Sequence, residues 1–309
     1  MSRRLRPRHV HPAAWICAGV FALASSQACL SAQPGSLSGT SVVALDHMPL
    51  VVGDLDAAAR TYAGLGFALK PGRSHANGLR NLHLKFPDGS GIELLAPERG
   101  PTDALAARYH AERAAGDGPV FFALHASDDA RLERVLRESG FAFHREDGAL
   151  TLDEPALSFL FFGGDNRSPT DRPEHFAHAN SAIAMSGIWI ALDPDASRRM
   201  STLLLALGAE RGRAVLPLGD GVQADVFTVS NGRIALLPQE RRVRPHRAIV
   251  GVEFRVRDFA RVPRCGGAAD AADAADAADP SGPSGPSGPA HACLFAPSET
   301  HGLWMRFSN

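Results

Sequence analysis

Three short signatures recur along the chain: LGF at 65–67, SGF at 139–141 and LGA at 207–209. Each closes a stretch with helical spacing of apolar residues, follows an apolar run, and precedes two extended runs. A strand–helix–strand segment cannot bury its apolar face alone, so such units must pack against one another. The repetition predicts an α+β fold. Four βαβββ units would form two pairs, each pair curving into a partly open, barrel-like sheet.

The first unit is the clearest. SVVALDHMPLVV reads as a strand and Asp54 stands at a helix N-cap, where a carboxylate accepts the orphan amides of the first turn. Leu55, Ala59, Tyr62 and Ala63 fall near one helical face, and Gly66 occupies the left-handed closing position. GLRNLHLKF and SGIELLA follow as strands around the tight turn PDGS. In the second unit Asp128 caps, Leu132, Val135 and Leu136 form the stripe, and Gly140 stops the helix. In the third the stripe includes Leu203, Leu204 and Leu207. The fourth is degraded, with Pro263 cutting its helix short.

TDALAARYHAERAAG reads as an extra helix between the first two units. The expected organisation is a first domain at 41–165, a polar connecting loop at 166–182 and a second, degenerate domain at 183–309. Within the latter, AADAADAADAADPSGPSGPSGP marks a disordered insertion at 266–290, because it carries no apolar pattern to offset its ordering entropy. Cys265 and Cys293 flank it, either bridged or as two free thiols. RVRPHR, ending at Arg247, reads as a solvated connector.

The basic leader MSRRLRPRH, the apolar AAWICAGVFALA and the small residues after it have the order of a secretory signal at 1–32, the apolar part being too short to span a bilayer. Cleavage after Ala28 or Ala32 would give a periplasmic or secreted protein, and Cys29 is a possible lipid anchor. A net charge of −1 gives no electrostatic reason to bind nucleic acid or an anionic membrane. No phosphate loop, nucleophile elbow, HExxH or CxxC motif is present.

Candidate chemistry begins at a histidine inside a strand. With period-two alternation, Leu45, His47 and Val51 share one face, while Gly91, Glu93 and Leu95 share a face opposite Ile92 and Leu94. A carboxylate amid the apolar GIELLA needs a partner, because an unpaired buried charge is costly. His47 is the obvious one, directly or through a shared cation. An imidazole–carboxylate pair suits Zn²⁺, Fe²⁺, Mn²⁺ or Ni²⁺. A catalytic metal wants about three protein ligands, and the repeats supply no second pair. Ser186 and Gly251 match His47, Ala235 matches Glu93, and LSFLFFGG has no carboxylate. His83, His125 and His178 are the candidate third ligands, with His175 and His178 alternatively on a lid.

LDHMPLVVGDLDAAARTYAGLGF, PGRSHANGLRNLHLKF and DGSGIELLAPE together resemble the glyoxalase-like domain family. That family lies within the vicinal oxygen chelate superfamily, with glyoxalase, extradiol dioxygenases and bleomycin-resistance proteins. The resemblance implies a metal inside a cupped sheet, held at the positions of His47 and Glu93, and places the family's loop histidine and asparagine at His75 and Asn81 as substrate contacts. GLRN stands where Gly-Thr often precedes the asparagine, and Ile92 where an aromatic is common. The expected function is binding of a small oxygen-rich molecule by an exported protein. The metal-dependent version is a lyase, isomerase or dioxygenase in which Glu93 doubles as a base. The alternatives are a metal-free sequestration protein of the bleomycin-resistance type, or a scaffold whose cup is vestigial.

Overall fold

A computed structural model describes residues 41–146, 148–265 and 292–309. The leader, Cys29 and the insertion at 266–290 lie outside the described residues.

The first unit forms β1 (Val43–Leu45), β2 (His47–Val51), α1 (Leu55–Gly64), β3 (Lys70–Ser74), β4 (Leu79–Lys85) and β5 (Gly91–Pro97). The extra helix is α2 (Ala104–Ala114). The second unit forms β6 (Gly118–Pro119), β7 (Phe122–Ala126), α3 (Asp129–Glu138), β8 (Phe143–Glu146), β9 (Ala149–Leu152) and β10 (Leu160–Gly163). The third gives β11 (Ala182–Leu192), α4 (Pro194–Ala206), β12 (Glu210–Leu216), β13 (Val222–Val229) and β14 (Gly232–Pro238). The fourth gives β15 (Ile249–Val256), β16 (Ala292–Phe295) and β17 (Trp304–Ser308), its helix reduced to a 3-10 turn at Phe259–Arg261.

The caps act as the sequence predicts: Asp54 accepts from the Ala57 amide and Asp128 from the Arg131 amide. Gly66, Gly140 and Gly208 end their helices with φ of 84°, 72° and 79°, in the left-handed region. The buried stripe of α1 is Leu55, Ala58 and Tyr62 rather than one including Ala59 and Ala63.

The strands form three curved sheets, ordered β3-β4-β5-β2-β6, β1-β7-β10-β9-β8 and β12-β13-β14-β11-β15-β17-β16. No sheet closes into a barrel among the described residues. In the third sheet β11 and β15 pair antiparallel directly. The corresponding pairing of 43–51 with 118–126 keeps one register, from Val43↔Ala126 to Val51↔Gly118, but is split into two ladders. Pro49 and Pro119 have no amide to donate, which thins the ladder there. The Asp46 amide bonds the Ala123 carbonyl and the Val120 amide the Pro49 carbonyl, so the strands stay together. The predicted single strand therefore breaks at Asp46.

Met48, Leu50, Leu84, Ile92 and Leu94 bury one face of the first sheet. Phe67 and Phe86 continue that core to Phe254 and Phe307 of the third sheet, with Phe67 ring centroids 4.8 Å and 5.7 Å from these two. Both halves of the chain therefore share one core.

RVRPHR is a joint, not a solvated connector. Arg247 is 4% exposed, and its guanidinium donates to the Glu112 carbonyl (2.5 Å), the Gly116 carbonyl (2.8 Å) and the Glu112 carboxylate (3.2 Å). It thus adds a cationic donor to carbonyls at the C-terminal end of α2, where the helix dipole favours positive charge. Arg247→Met is expected to lower stability by about 2 kcal/mol, the scale of charge-assisted hydrogen bonds. A change under about 0.5 kcal/mol in urea unfolding, the range of an ordinary surface substitution, would deny it that role. Cys265 and Cys293, left open by the sequence, are bridged.

Candidate functional site

The other face of the first sheet is polar. Strand alternation puts Asn81, His83 and Lys85 of β4 on the side of Glu93 of β5 and His47 of β2. The register sets His83 opposite Glu93, and His47 opposite Gly91. Lys70 of β3 lies beside His83. Lys70, Asn81, His83, Lys85 and Glu93 border a cavity of about 850 Å³ that also takes in His75 and much of the loop at 165–172, with His47 beside its Glu93 wall. At its far end α2 closes the face. Ala106 and Tyr109 cluster there with Val51, Leu79, Leu95 and Phe121.

His47 Nε2 lies 3.9 Å from Glu93 Oε2, and no apolar side chain is wedged into that distance. On its other side His47 Nδ1 is 3.4 Å from Asp46 Oδ1. Asp46 is 2% exposed, and neither of its carboxylate oxygens has a hydrogen bond. The Phe161 ring meets His47 edge-on at 5.7 Å between centroids.

Asn81 organises the rest. It is 4% exposed. Its Oδ1 accepts from the Arg73 amide at 2.9 Å, which fixes the direction of the side-chain amide. Nδ2 then donates to Glu93 Oε1 at 2.7 Å and to His83 Nε2 at 3.2 Å. His83 Nε2 is thereby an acceptor, and the ring proton of its neutral form sits on Nδ1. Gly72 permits this approach, because a Cβ there would lie 2.1 Å from the Asn81 carbonyl oxygen.

The two imidazoles are driven apart. Burial works to lower His47, but the adjoining Asp46 and then Glu93 outweigh it and raise its pKa above 6.5. His83 is lowered, first by burial and then by Lys85, His47 and Lys70, against the pull of Glu93. One ring is biased toward imidazolium and its neighbour toward the neutral base, which is how enzymes separate acid from base in one pocket.

Lys70 Nζ and Lys85 Nζ both bond Asp171, at 2.5 Å and 2.7 Å, and Lys85 also donates to the Asn166 carbonyl. Burial alone would raise the Asp171 carboxyl, but Lys70, Lys85 and the Ser168 amide hold it down at about 2. A folded-state pKa below the ordinary 3.8 contributes stability above pH 3.8 that is lost as pH falls toward 2. The expected loss is about 2 kcal/mol over that window. Asp171→Asn should remove this part of the acid sensitivity, as checked by urea midpoints at pH 5 and pH 2.5. Equal sensitivity of both proteins would refute it.

The predicted residues divide. His47, Glu93, Asn81 and His83 come together. His75 lines the same cavity, and its Nε2 is buried without a hydrogen-bond partner. His178 is neither ligand nor lid. Its Nδ1 accepts from the Ala68 amide, its Nε2 donates to the Lys85 carbonyl, and it is 6% exposed. His125 sits on β7 of the second sheet, with Nδ1 3.4 Å from the Gly163 carbonyl. His175 lines the cavity, its Nδ1 accepting from the Arg172 amide. Asp46, Lys70, Lys85 and Asp171 were missed. Lys85 was readable as the next same-face residue after His83.

As a metal centre the donor set is short. His47 and Glu93 face each other, but His83 Nε2 and Glu93 Oε1 are taken up by Asn81, and two lysines share the cup. Among the described residues no three His, Cys, Asp or Glu side chains are grouped to hold a metal ion. The residues present do not fit a three-ligand catalytic metal. The equivalent face of the third sheet is filled by Trp189, packed with Leu216, Ala235 and Leu237. Gly251 makes that possible, since a Cβ there would meet the Trp189 ring at 2.5 Å.

Residues 45–201 match a family described as "Glyoxalase-like domain". No curated protein matches the chain. Among solved structures, a hypothetical protein from Staphylococcus aureus is similar with a TM-score of 0.53 and 14% identity, over 86% of this chain and 99% of that one. A mutant of 4-hydroxymandelate synthase from Streptomyces coelicolor is similar with a TM-score of 0.51 and 12% identity, over 70% of this chain and 72% of that one. At such identities the likeness concerns the fold.

Proposed function

Since this chain belongs to the glyoxalase-like domain family, within the vicinal oxygen chelate superfamily, we propose that its first sheet binds a small oxygen-rich organic molecule and moves a proton on it without a metal. The observation that carries this reading is the Asn81 amide, which occupies Glu93 Oε1 and His83 Nε2 at once. Glu93 Oε2 and His47 Nε2 remain facing one another, as a base and an acid. Glu93 takes a proton from a carbon beside a carbonyl, and the charge that develops on the carbonyl oxygen is stabilised by the His47 imidazolium. Returning the proton to the neighbouring carbon, while His47 gives a proton to the first oxygen and takes one from the second, gives an isomerase, and expelling a leaving group from the carbon next to the carbanion gives a lyase. His75 Nε2 hydrogen-bonds a second ligand oxygen. Dioxygenase chemistry would need a redox metal held by more ligands than this cup supplies.

The test is exchange. The full chain, incubated in D₂O with small hydroxyketones and keto acids, should put deuterium at the carbon beside the carbonyl, and Glu93→Gln should not. A stoichiometric Zn, Fe, Mn or Ni that survives dialysis and is lost in His47→Ala would replace this reading with the metal-dependent one. Ligand binding without exchange in any compound would leave a sequestration protein.

Export remains part of the proposal. It is supported by the order of the leader and by the Cys265–Cys293 bridge, which persists in oxidising compartments.

A further inference from the structure

We infer that the molecule held in this cup carries an anionic group, a carboxylate or a phosphate, and that this group takes the place between Lys70 and Lys85 now filled by the Asp171 carboxylate. The inference rests on the binding reading above and narrows it to a ligand class.

Lys70 is 8% and Lys85 3% exposed, so both ammoniums have lost most of their water. Such groups are expensive to bury unless fully paired. One carboxylate answers two ammoniums here, which leaves a net positive charge at the bottom of the cavity. The rim adds Arg73, Arg167 and Arg172. Against these five cations stand four carboxylates, Asp165, Asp171, Glu93 and the Glu174 that lies 3.8 Å from Arg172. A chain with a net charge of −1 has thus gathered a surplus of positive charge in one cavity, which focuses the field on an entering anion.

Asp171 is also the acid best placed to leave. It belongs to no strand of the sheet but to the segment GDNRSPTDR at 164–172, whose one apolar side chain, Pro169, is exposed and does not anchor it. The segment's hold on the sheet is polar: the two lysine bonds to Asp171, the bond from Lys85 to the Asn166 carbonyl, and one from Asn166 Nδ2 to the Gly89 carbonyl at 3.1 Å. An incoming carboxylate or phosphate makes the same charge-assisted bonds as Asp171. The internal acid therefore competes with the ligand and excludes neutral look-alikes.

Calorimetric titration of the full chain tests this with three probes: malonate, inorganic phosphate, and dimethyl malonate as the uncharged counterpart of the first. At least one anion should bind. Asp171→Asn should bind it about tenfold tighter, because the internal competitor is gone. Lys70→Met and Lys85→Met should each weaken it about tenfold or more while keeping the native circular dichroism spectrum. Added NaCl should weaken it as well. Preference between malonate and phosphate identifies the anion. Equal affinity of the wild type and Asp171→Asn overturns the inference, as does binding of dimethyl malonate that ignores Lys85→Met. Absence of anion binding to Asp171→Asn overturns it too. In each case the deuterium-exchange experiment judges the binding cup separately, so the two readings can fail independently.

Discussion

Glu253→Ala is expected to cost about 3–5 kcal/mol, the scale of removing one partner from a buried ion pair. Glu253 on β15 is 2% exposed. Its carboxylate accepts from Arg233 Nε and Nη2 at 2.7 Å and 2.8 Å, from Trp189 Nε1 at 2.8 Å and from Arg306 Nη1 at 3.3 Å. Burial pushes this carboxyl up, but Arg233, Arg306 and the indole donor hold it below the ordinary range. Truncation would strand the Arg306 guanidinium and the buried indole N–H together, and leave Arg233 paired with water alone. Arg306 Nε already lacks a partner, so little remains to absorb the loss. Glu253→Gln should cost less, since its carbonyl can still accept from Trp189 and Arg233. Urea unfolding at pH 7 measures both. A loss below about 1 kcal/mol for the alanine variant would mean that water replaces the carboxylate and the site is wetter than its burial implies.

Glu93→Gln should have the largest effect on chemistry, a fall in the proposed proton transfer of about 10²–10⁴-fold, the usual contribution of a positioned base. The glutamine carbonyl can still accept from Asn81, so the strand pairing and the cavity wall stay in place. The amide nitrogen would turn toward His47, where it can neither take a proton nor pair with an imidazolium. Ligand affinity should therefore change much less than turnover. A fall in affinity of the same size as the fall in exchange rate would assign Glu93 to holding the ligand. Asn81→Leu separates the two further, because it frees Glu93 and His83 without removing either. Its exchange rate against pH should shift even where its maximum rate does not.

The repeat architecture was readable because its signals are local. A stripe and a left-handed glycine close the helix of each of the first three units, a carboxylate cap opens it in the first two, and none depends on distant contacts. The faces of His47 and Glu93 were readable from strand alternation, and the family resemblance is what put the two in one cup. The break at Asp46 was not, because it depends on how 43–51 pairs with 118–126, which no local signal fixes. Lys85 is the next same-face residue after His83, and the alternation that selected His83 could have selected it. Asp171 was out of reach, because nothing local in a polar loop says which carboxylate will lie against two lysines. His178 misled for the opposite reason. A histidine in a polar segment looks available for chemistry, yet both its nitrogens are spent on backbone groups that would otherwise be orphaned. RVRPHR misled similarly, its charge hiding a buried joint.

The Cys265–Cys293 bridge spans a sequence separation of 28, and the segment inside it is built of AAD and PSG triplets. An oxidised chain keeps that ring closed whether the protein is folded or not. Ring length therefore enters both sides of the folding equilibrium and cancels. Even during oxidation the closure cost grows only logarithmically, about 0.6 kcal/mol per doubling of length. Triplets gained or lost by slippage during DNA replication would leave the core's stability almost unchanged. The covalent clasp thus makes the length of this tract nearly neutral for the stability of the fold.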